Sequence, residues 1–462
     1  MGQLRWDKEE AKILLEQARE YSFLYLDQLE EKDAFPNSEA IQTLKCFYEE
    51  FPETYNDPSE ILRDLHLYGS PATVSSQTGK YYGYVNGGTL AIGIAARWLS
   101  DVWDQNAAIY EMSPIAAVLE EVCEKWLTQL LGLPSGTAAG FVSGSSIATL
   151  CGLSAGRNQL LKRMNWDIAE KGMFGAPKVR VIVGGEAHGS VFKALRILGF
   201  GNKDIEIAPT DDQGRIIPSS LPTLSKNCLI VIQAGNVNTG AFDPIHEICQ
   251  LAASEGAWVH VDGAFGLWAA ASEEKKQLTS GIELADSLTL DAHKTLNAPY
   301  DSGIIICKDR KAILNAMQST GSYLLDSQQR DGMHYTPEMS RRARAVELWA
   351  VLKHLGRKGV EDLIEQQCRL AIIVAEGLQS VGFQILNEVV FNQVLVKCNT
   401  PENTSLALRY IQQSGECWCS GSRWKGEPVI RISLCSFTVT STAVERLVQI
   451  FDKAYQLAKI QQ

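Results

Sequence analysis

The sequence predicts an α/β protein: a mostly parallel central sheet with helices on both faces, a smaller C-terminal α+β domain, and an N-terminal helical arm. Three observations carry this prediction. Short, nearly unbroken apolar runs recur through the middle of the chain, at VRVIVG (179–184), CLIVIQAG (228–235), AWVHVDG (257–263), SLTL (287–290) and SGIIIC (302–307). Segments of helical length separate most of them, and parallel strands buried on both faces need that alternation. Outside this region the periodicity becomes helical at the front and mixed at the back.

Taken in order, residues 1–82 form the arm. Leu14, Leu15, Tyr21, Leu24 and Leu26 stand at helical spacing among charges, and FPETYNDPSE (51–60) is a break between helices. Residues 83–335 carry the alternating strands and helices of a large domain. Residues 336–462 begin with an expected long helix over MSRRARAVELWAVLKHLG (339–356). Strands at FNQVLVKC (391–398) and VIRISLC (429–435) follow among further helices.

Composition narrows the function classes. With 462 residues and 45% apolar content, the chain is long enough to organise around more than one core. A formal charge of -11 disfavours nucleic acid and polybasic membrane contact, both of which need clustered Lys and Arg. No run approaches the roughly 18 apolar residues of a spanning helix, and the charged start MGQLRWDKEEAKILLEQ lacks a signal-peptide core. Trp6 stands where a myristoylation motif requires Ser or Thr. The 11 cysteines, scattered from Cys46 to Cys435, fit a reducing compartment, so a cytoplasmic protein is expected. Cys417 and Cys419 in ECWCSG have no second Cys/His pair at zinc spacing, so no metal is expected.

The chemistry gathers at strand ends, where open α/β sheets place their sites. In DAHKTLNAPYDSG (291–303), Lys294 follows a core strand, and a lysine there either snorkels to water or reacts. To attack a carbonyl it must be deprotonated, and burial acts in that direction. Asp262 ends the WVHVD run, where an unpaired carboxylate is costly and needs a cation. Gly144, Ser145 and Ser146 lead from FVSG into a helix whose free N–H groups suit a phosphate. His188 in GGEAHGS offers a flat ring or a proton. Each residue alone has an ordinary structural explanation: a cap, a surface lysine, a core histidine. Together they match what pyridoxal 5'-phosphate requires of a protein. Neither G-x-G-x-x-G after a strand nor a Walker motif is present to support a nucleotide site.

The chain resembles the group II pyridoxal-phosphate-dependent amino-acid decarboxylases, the family of aromatic-L-amino-acid, histidine and glutamate decarboxylases. The resemblance runs through KYYGYVNGG (80–88), DQN (104–106), Ser113-Pro114, Glu120, Trp126, the Gly144-Ser145-Ser146 turn, AHGS, GAFDP (240–244), HVDGAFG, DAHK and SRRARAVELW (340–349) to VIRIS. It implies a type I aspartate-aminotransferase-like fold and a homodimer with shared active sites. It further implies that Lys294 carries the Schiff base, Asp262 pairs with the pyridine nitrogen, and His188 stacks on the ring with Ala264 below it. Gly144, Ser145, Ser146 and His293 would hold the phosphate. Tyr323 stands where the family carries a tyrosine that protonates the substrate carbon. Two departures are visible. Gly235-Asn236-Val237-Asn238-Thr239 replaces the usual Gly-Thr-Thr, and LYGSPATVSSQTGK lacks the pocket residues of the aromatic decarboxylases.

The expected function is therefore decarboxylation of an L-amino acid to its amine and CO2, with an aromatic or bulky side chain slightly favoured. Tyr81, Tyr82, Tyr84 and Trp103 are candidate pocket walls, although such residues are commonly core. Arg341, Arg342 and Arg344, placed on a helix, would suit an acidic substrate but more commonly form structural ion pairs. The competing readings are a transaminase, aldehyde-forming synthase or carbon–carbon lyase of the same fold, and a catalytically silent dimeric interaction protein.

Overall fold

The computed structural model describes residues 7–318 and 329–460. Seven strands make the large sheet: β1 (Ala138–Val142), β2 (Arg180–Gly184), β3 (Ile205–Ala208), β4 (Cys228–Gln233), β5 (Trp258–Asp262), β6 (Ser287–Asp291) and β7 (Gly303–Cys307). Their order is β1-β7-β6-β5-β4-β2-β3. Strands β3, β2, β4, β5 and β6 run parallel, and β7 runs antiparallel to both β6 and β1. Chain length explains the reversal. The 292–302 connection is too short for the helical crossover that a parallel neighbour requires, so β7 turns straight back.

Strands β1, β4, β5, β6 and β7 are buried along their whole length, as unbroken apolar runs demand. The edge strand β3 was not expected from the sequence. It has only four residues, Glu206 interrupts its apolar character, and Ile207 stays exposed.

The expected C-terminal strands appear as β9 (Gln393–Lys397) and β11 (Glu427–Ser433), joined by β8 (Gln384–Ile385) and β10 (Ser420–Trp424) in an antiparallel sheet of order β10-β11-β9-β8. Its apolar face forms a second core with the helices Pro401–Gln413 and Ser441–Ile460.

The long helix needs a correction. It runs from Ala345 to Ser380, broken at Gly356 (φ 58, ψ -174), and does not begin at 339. The arginine-rich run before it is extended instead: Ala107 N donates to Arg341 O at 2.9 Å, and Asn106 bridges Arg342. The three arginines hold structure. Arg342 and Arg344 meet Asp301 at 2.9 and 3.2 Å, and Arg342 also pairs with Glu347. Arg341 meets Glu120 at 2.5 Å, and Arg330 meets Glu120 at 3.0 Å and Glu124 at 2.8 Å in a fully buried network against β1.

In the arm, Asp7 caps the helix Lys8–Gln28 by accepting from Glu9 N at 2.9 Å. No residue of that helix is buried. Ile13, Leu15, Phe23, Leu24 and Leu26 are all exposed.

Candidate active site

The parallel strands β5 and β6 end on aspartates, Asp262 and Asp291, and the reversal after β6 carries Lys294. Asp262 is buried. Its Oδ1 accepts from Ala264 N at 3.3 Å, which leaves Oδ2 without a hydrogen-bond partner among the described residues. Burial pushes its carboxyl above the ordinary carboxylate value, with His188 and Lys294 opposing the rise. A buried carboxyl with one oxygen free of hydrogen bonds suits a cationic partner such as a protonated pyridine nitrogen.

Lys294 Nζ lies 3.1 Å from Asp291 Oδ2. The sequence reading left Asp291 outside the site, although its position at the end of an apolar strand is the same signal that singled out Asp262. Both Asp291 oxygens are buried and make no hydrogen bond. Lys294 is half-buried at the cleft, and the imidazole of His293, with Nε2 at 3.6 Å, completes the surroundings of Asp291.

His293 is fixed from two sides. Ser302 N donates to Nδ1 at 3.0 Å, and Tyr300 stacks on the ring at 4.2 Å. Because a backbone N–H can only donate, the proton of the neutral ring sits on Nε2. Burial first, then Lys294, lowers the pKa of this ring from its ordinary value, while Asp291 opposes the shift.

Gly144 caps the helix Ser145–Arg163 and lies against this group: a Cβ at Gly144 would sit 3.4 Å from His293 Cε1 and 3.9 Å from Asp291 Oδ1. A Cβ on Gly303 would sit 2.3 Å from Gly144 Cα, and one on Gly87 would sit 2.0 Å from Lys294 O. Ser145 and Ser146 place their hydroxyls and first-turn N–H groups at this helix start without a hydrogen-bond partner among the described residues, because no helical carbonyl precedes them and the intrahelical bonds begin with Ile147 N and Ala148 N to Gly144 O. Such an open turn, at the positive end of a helix, fits a phosphate.

His188 caps the helix Gly189–Ile197 at the mouth of the cleft. Its Nδ1 lies 2.7 Å from Ser190 Oγ and accepts from Ser190 N at 3.3 Å, so this ring also carries its neutral-form proton on Nε2. Its pKa is lowered, chiefly by burial, with Asp262 opposing. Ala264 is half-buried directly after β5, and Asp291 N donates to its carbonyl at 2.9 Å. Tyr323 lies outside the described residues.

The Asn236 departure builds a turn. Asn236 Oδ1 accepts from Asn238 N at 2.9 Å and Thr239 N at 3.1 Å, and Thr239 Oγ1 donates to Gln213 O at 2.7 Å. Gly235 (φ +97) lets the chain enter this turn against Phe265.

Arg431 is a further candidate that the sequence did not single out. It is a buried arginine on β11 whose side chain makes no hydrogen bond or ion pair among the described residues, and its Nε is an orphaned donor. Burial lowers its ordinary pKa, and Tyr84, Cys435 and Tyr81 oppose this. An arginine inside the otherwise apolar PVIRIS strand was the available signal. Of the aromatic candidates, Tyr82 belongs to the C-terminal core, Tyr81 is buried beside Arg431, and Tyr84 and Trp103 are exposed.

A strand-end lysine beside two buried carboxylates, with an open helix start nearby, matches the chemistry that pyridoxal 5'-phosphate requires, on a type I aspartate-aminotransferase-like fold. The family model for the pyridoxal-dependent decarboxylase conserved domain matches residues 42–398, and the chain belongs to that family. It is a PLP-dependent carboxy-lyase acting in amino-acid metabolism. The chain is 28% identical over 462 aligned residues to an aromatic-L-amino-acid decarboxylase of Bacillus atrophaeus, covering 94% of this chain and 93% of that one. It is 27% identical to the acidic amino acid decarboxylase GADL1 of Mus musculus over 75% of this chain, and that match spans 64% of the mouse protein's length. In fold it is similar to Catharanthus roseus tryptophan decarboxylase in complex with L-tryptophan (TM-score 0.88, 20% identity, 99% and 100% of the two chains). It is equally similar to mouse CSAD in apo form (TM-score 0.88, 19% identity, 97% and 99%). No helix among the described residues is long and apolar enough to cross a membrane.

Proposed function

We propose that the chain decarboxylates an L-amino acid with an uncharged, aromatic or bulky side chain, using Lys294 as the Schiff-base lysine and Arg431 to hold the substrate carboxylate. The unpartnered Arg431 carries this reading. A buried guanidinium without an anion is costly, and a carboxylate satisfies it bidentately. Arg341, Arg342 and Arg344, which would have met an acidic side chain, are committed to Glu120, Asp301 and Glu347. Tyr81 and Tyr84 beside Arg431 offer an apolar wall instead.

When bound, pyridoxal 5'-phosphate supplies the aldehyde that joins the amine and the sink for the electrons left by departing CO2. The residues of the chain do the rest. Asp262 Oδ2 would accept the hydrogen bond of the protonated ring nitrogen, Gly144, Ser145, Ser146 and His293 would hold the phosphate, and Ala264 and His188 would pack against the ring. His188 Nε2 carries a proton toward the cleft, and with Tyr323 it is the candidate donor to the substrate carbon. Arg431 stabilises a carboxylate that is being lost, so it serves binding and orientation more than the chemical step.

The second part of the proposal is a homodimer. The exposed apolar residues of Lys8–Gln28 are paid for by a second copy of the chain rather than by water.

The test is a visible spectrum of wild type beside Lys294→Ala, with CO2 release across the common L-amino acids. A cofactor band lost in the variant, with CO2 from a neutral bulky amino acid, supports the proposal. Keto acid without CO2 would assign a transaminase, and CO2 from an acidic amino acid alone would overturn the substrate class. Arg431→Met should raise KM about 100-fold, equivalent to about 2.7 kcal/mol of binding, with kcat changed much less.

A further inference from the structure

We infer that Asn297, three residues after the lysine, is a positioning residue that sets the distance between Lys294 and both segments that face the substrate. The inference rests on the Lys294 and Arg431 assignments made above.

The side-chain amide of Asn297 is saturated by backbone from three separate parts of the chain. Its Nδ2 donates to Thr295 O at 2.7 Å and Cys435 O at 2.8 Å, with Lys294 O further off at 3.3 Å. Its Oδ1 accepts from Gly88 N at 2.8 Å and Phe437 N at 2.9 Å. Carbonyls only accept and amides only donate, so the orientation of the side chain is fixed by its partners. One donor arm thus grips the lysine turn, and the acceptor grips the loop after Tyr84 and the segment leaving β11 after Arg431.

The backbone adds a second, independent constraint. Asn297 has φ 59, in the left-handed region where Gly, Asn and Asp are the tolerated residues. Of those three, only asparagine both donates and accepts through its side chain at neutral pH. The backbone of Asn297 also takes part, since Leu90 N donates to its carbonyl at 3.0 Å.

Gln367 provides an internal comparison. Its Nε2 donates to the same two carbonyls, Thr295 O and Cys435 O, both at 3.0 Å, but its Oε1 goes to Asn392 and does not reach Gly88 or Phe437. Gln367 therefore holds the lysine turn to the small sheet without touching the Tyr84 loop. Asn297 holds all three.

The experiment compares Asn297→Gly, which keeps the backbone conformation and deletes every side-chain bond, with Asn297→Asp, which keeps the acceptor and loses the donors. Kinetics are expressed per cofactor-loaded site. Asn297→Gly is expected to lower kcat 10- to 100-fold and raise KM. Asn297→Asp is expected to leave KM near wild type and to lower kcat, because the acceptor bonds from Gly88 N and Phe437 N remain while the donor bonds to Thr295 O on the lysine turn and to Cys435 O are gone.

In the cofactor-free protein, hydrogen exchange at Gly88 and Phe437 should accelerate together in Asn297→Gly and stay slow in Asn297→Asp. Lower melting temperatures with unchanged kcat and KM per loaded site in both variants would reduce Asn297 to a stabilising residue and overturn the inference. Should wild type release no CO2 from any amino acid, the decarboxylase reading fails by itself. The amino-acid Kd and the rate from the cofactor band then replace KM and kcat, and the exchange result stands independently.

Discussion

The turn around Lys294 and the helical arm in front of the large domain are built in opposite ways. Within 291–303, nearly every residue is buried, and side-chain amides and backbone from three chain segments converge on it. The helix Lys8–Gln28 is longer than that whole turn and has no fully buried residue. The first is enclosed within one chain, while the second meets its own chain along one side only, where Tyr21 stacks on His66 and Gln17 donates to Ser59 O, and leaves Ile13, Leu15, Phe23, Leu24 and Leu26 exposed. Helical propensity and an Asp7 cap specify the arm locally, and most helical stability in proteins comes from packing, of which the single chain supplies only one side here.

The largest effect in the self-contained large domain should come from the buried ion pairs against β1. Glu120→Ala leaves Arg330 and Arg341 buried without a shared carboxylate. This should cost about 3–5 kcal/mol in denaturant unfolding. A loss under about 1 kcal/mol, the value of an exposed pair, would show that water reaches this network.

A smaller effect comes from His260 beneath the same sheet. It is fully buried between Ser287 Oγ at 2.9 Å and Thr289 Oγ1 at 3.2 Å, and burial lowers its pKa to about 3. The folded value is depressed, so its contribution is complete above the unfolded value near 6.5 and is lost as pH falls toward 3. The slope is about 1.4 kcal/mol per pH unit at most. Asp243, raised to about 7 by burial, works the other way: its contribution is complete below the ordinary carboxylate value and is lost as pH rises through 7. His260→Asn should therefore leave a protein whose stability no longer falls, or falls less steeply, between pH 6 and 4. An unchanged slope would remove His260 from the account.

The smallest effect on folding should come from the arm. Ile13→Ser, Phe23→Ser or Leu24→Ser should each change unfolding of a single protomer by no more than about 0.5 kcal/mol. The same substitutions should shift the sedimentation of the protein from dimer toward monomer. Unchanged sedimentation with all three combined would leave these faces without a second copy.

How much was legible in the sequence follows the same division. Asp262 and Lys294 were readable because each ends a core strand, a local signal that needs no knowledge of its partner. Asp291 carried that signal too and was passed over. Arg431 and Asn297 were not placed because their meaning lies in groups more than a hundred residues away, such as Gly88 and Cys435 for Asn297. The helix start at Ala345 was misjudged for a similar reason. Arg341, Arg342 and Arg344 favour a helix locally, and their pairing with Asn106, Glu120 and Asp301 overrides that preference. Tyr323 lies outside the described residues.

The close approach of Gly87 to Lys294 O, and of Gly303 to Gly144, has a consequence for how this gene can vary. In a library of all single substitutions, positions 87 and 303 should behave as though fixed, because any side chain there meets backbone within 2.3 Å. Substitution at either should displace the cofactor machinery before the rest of the sheet, yielding soluble, colourless protein rather than aggregate. Two positions more than two hundred residues apart would then share one phenotype, and a screen by colour would find them together.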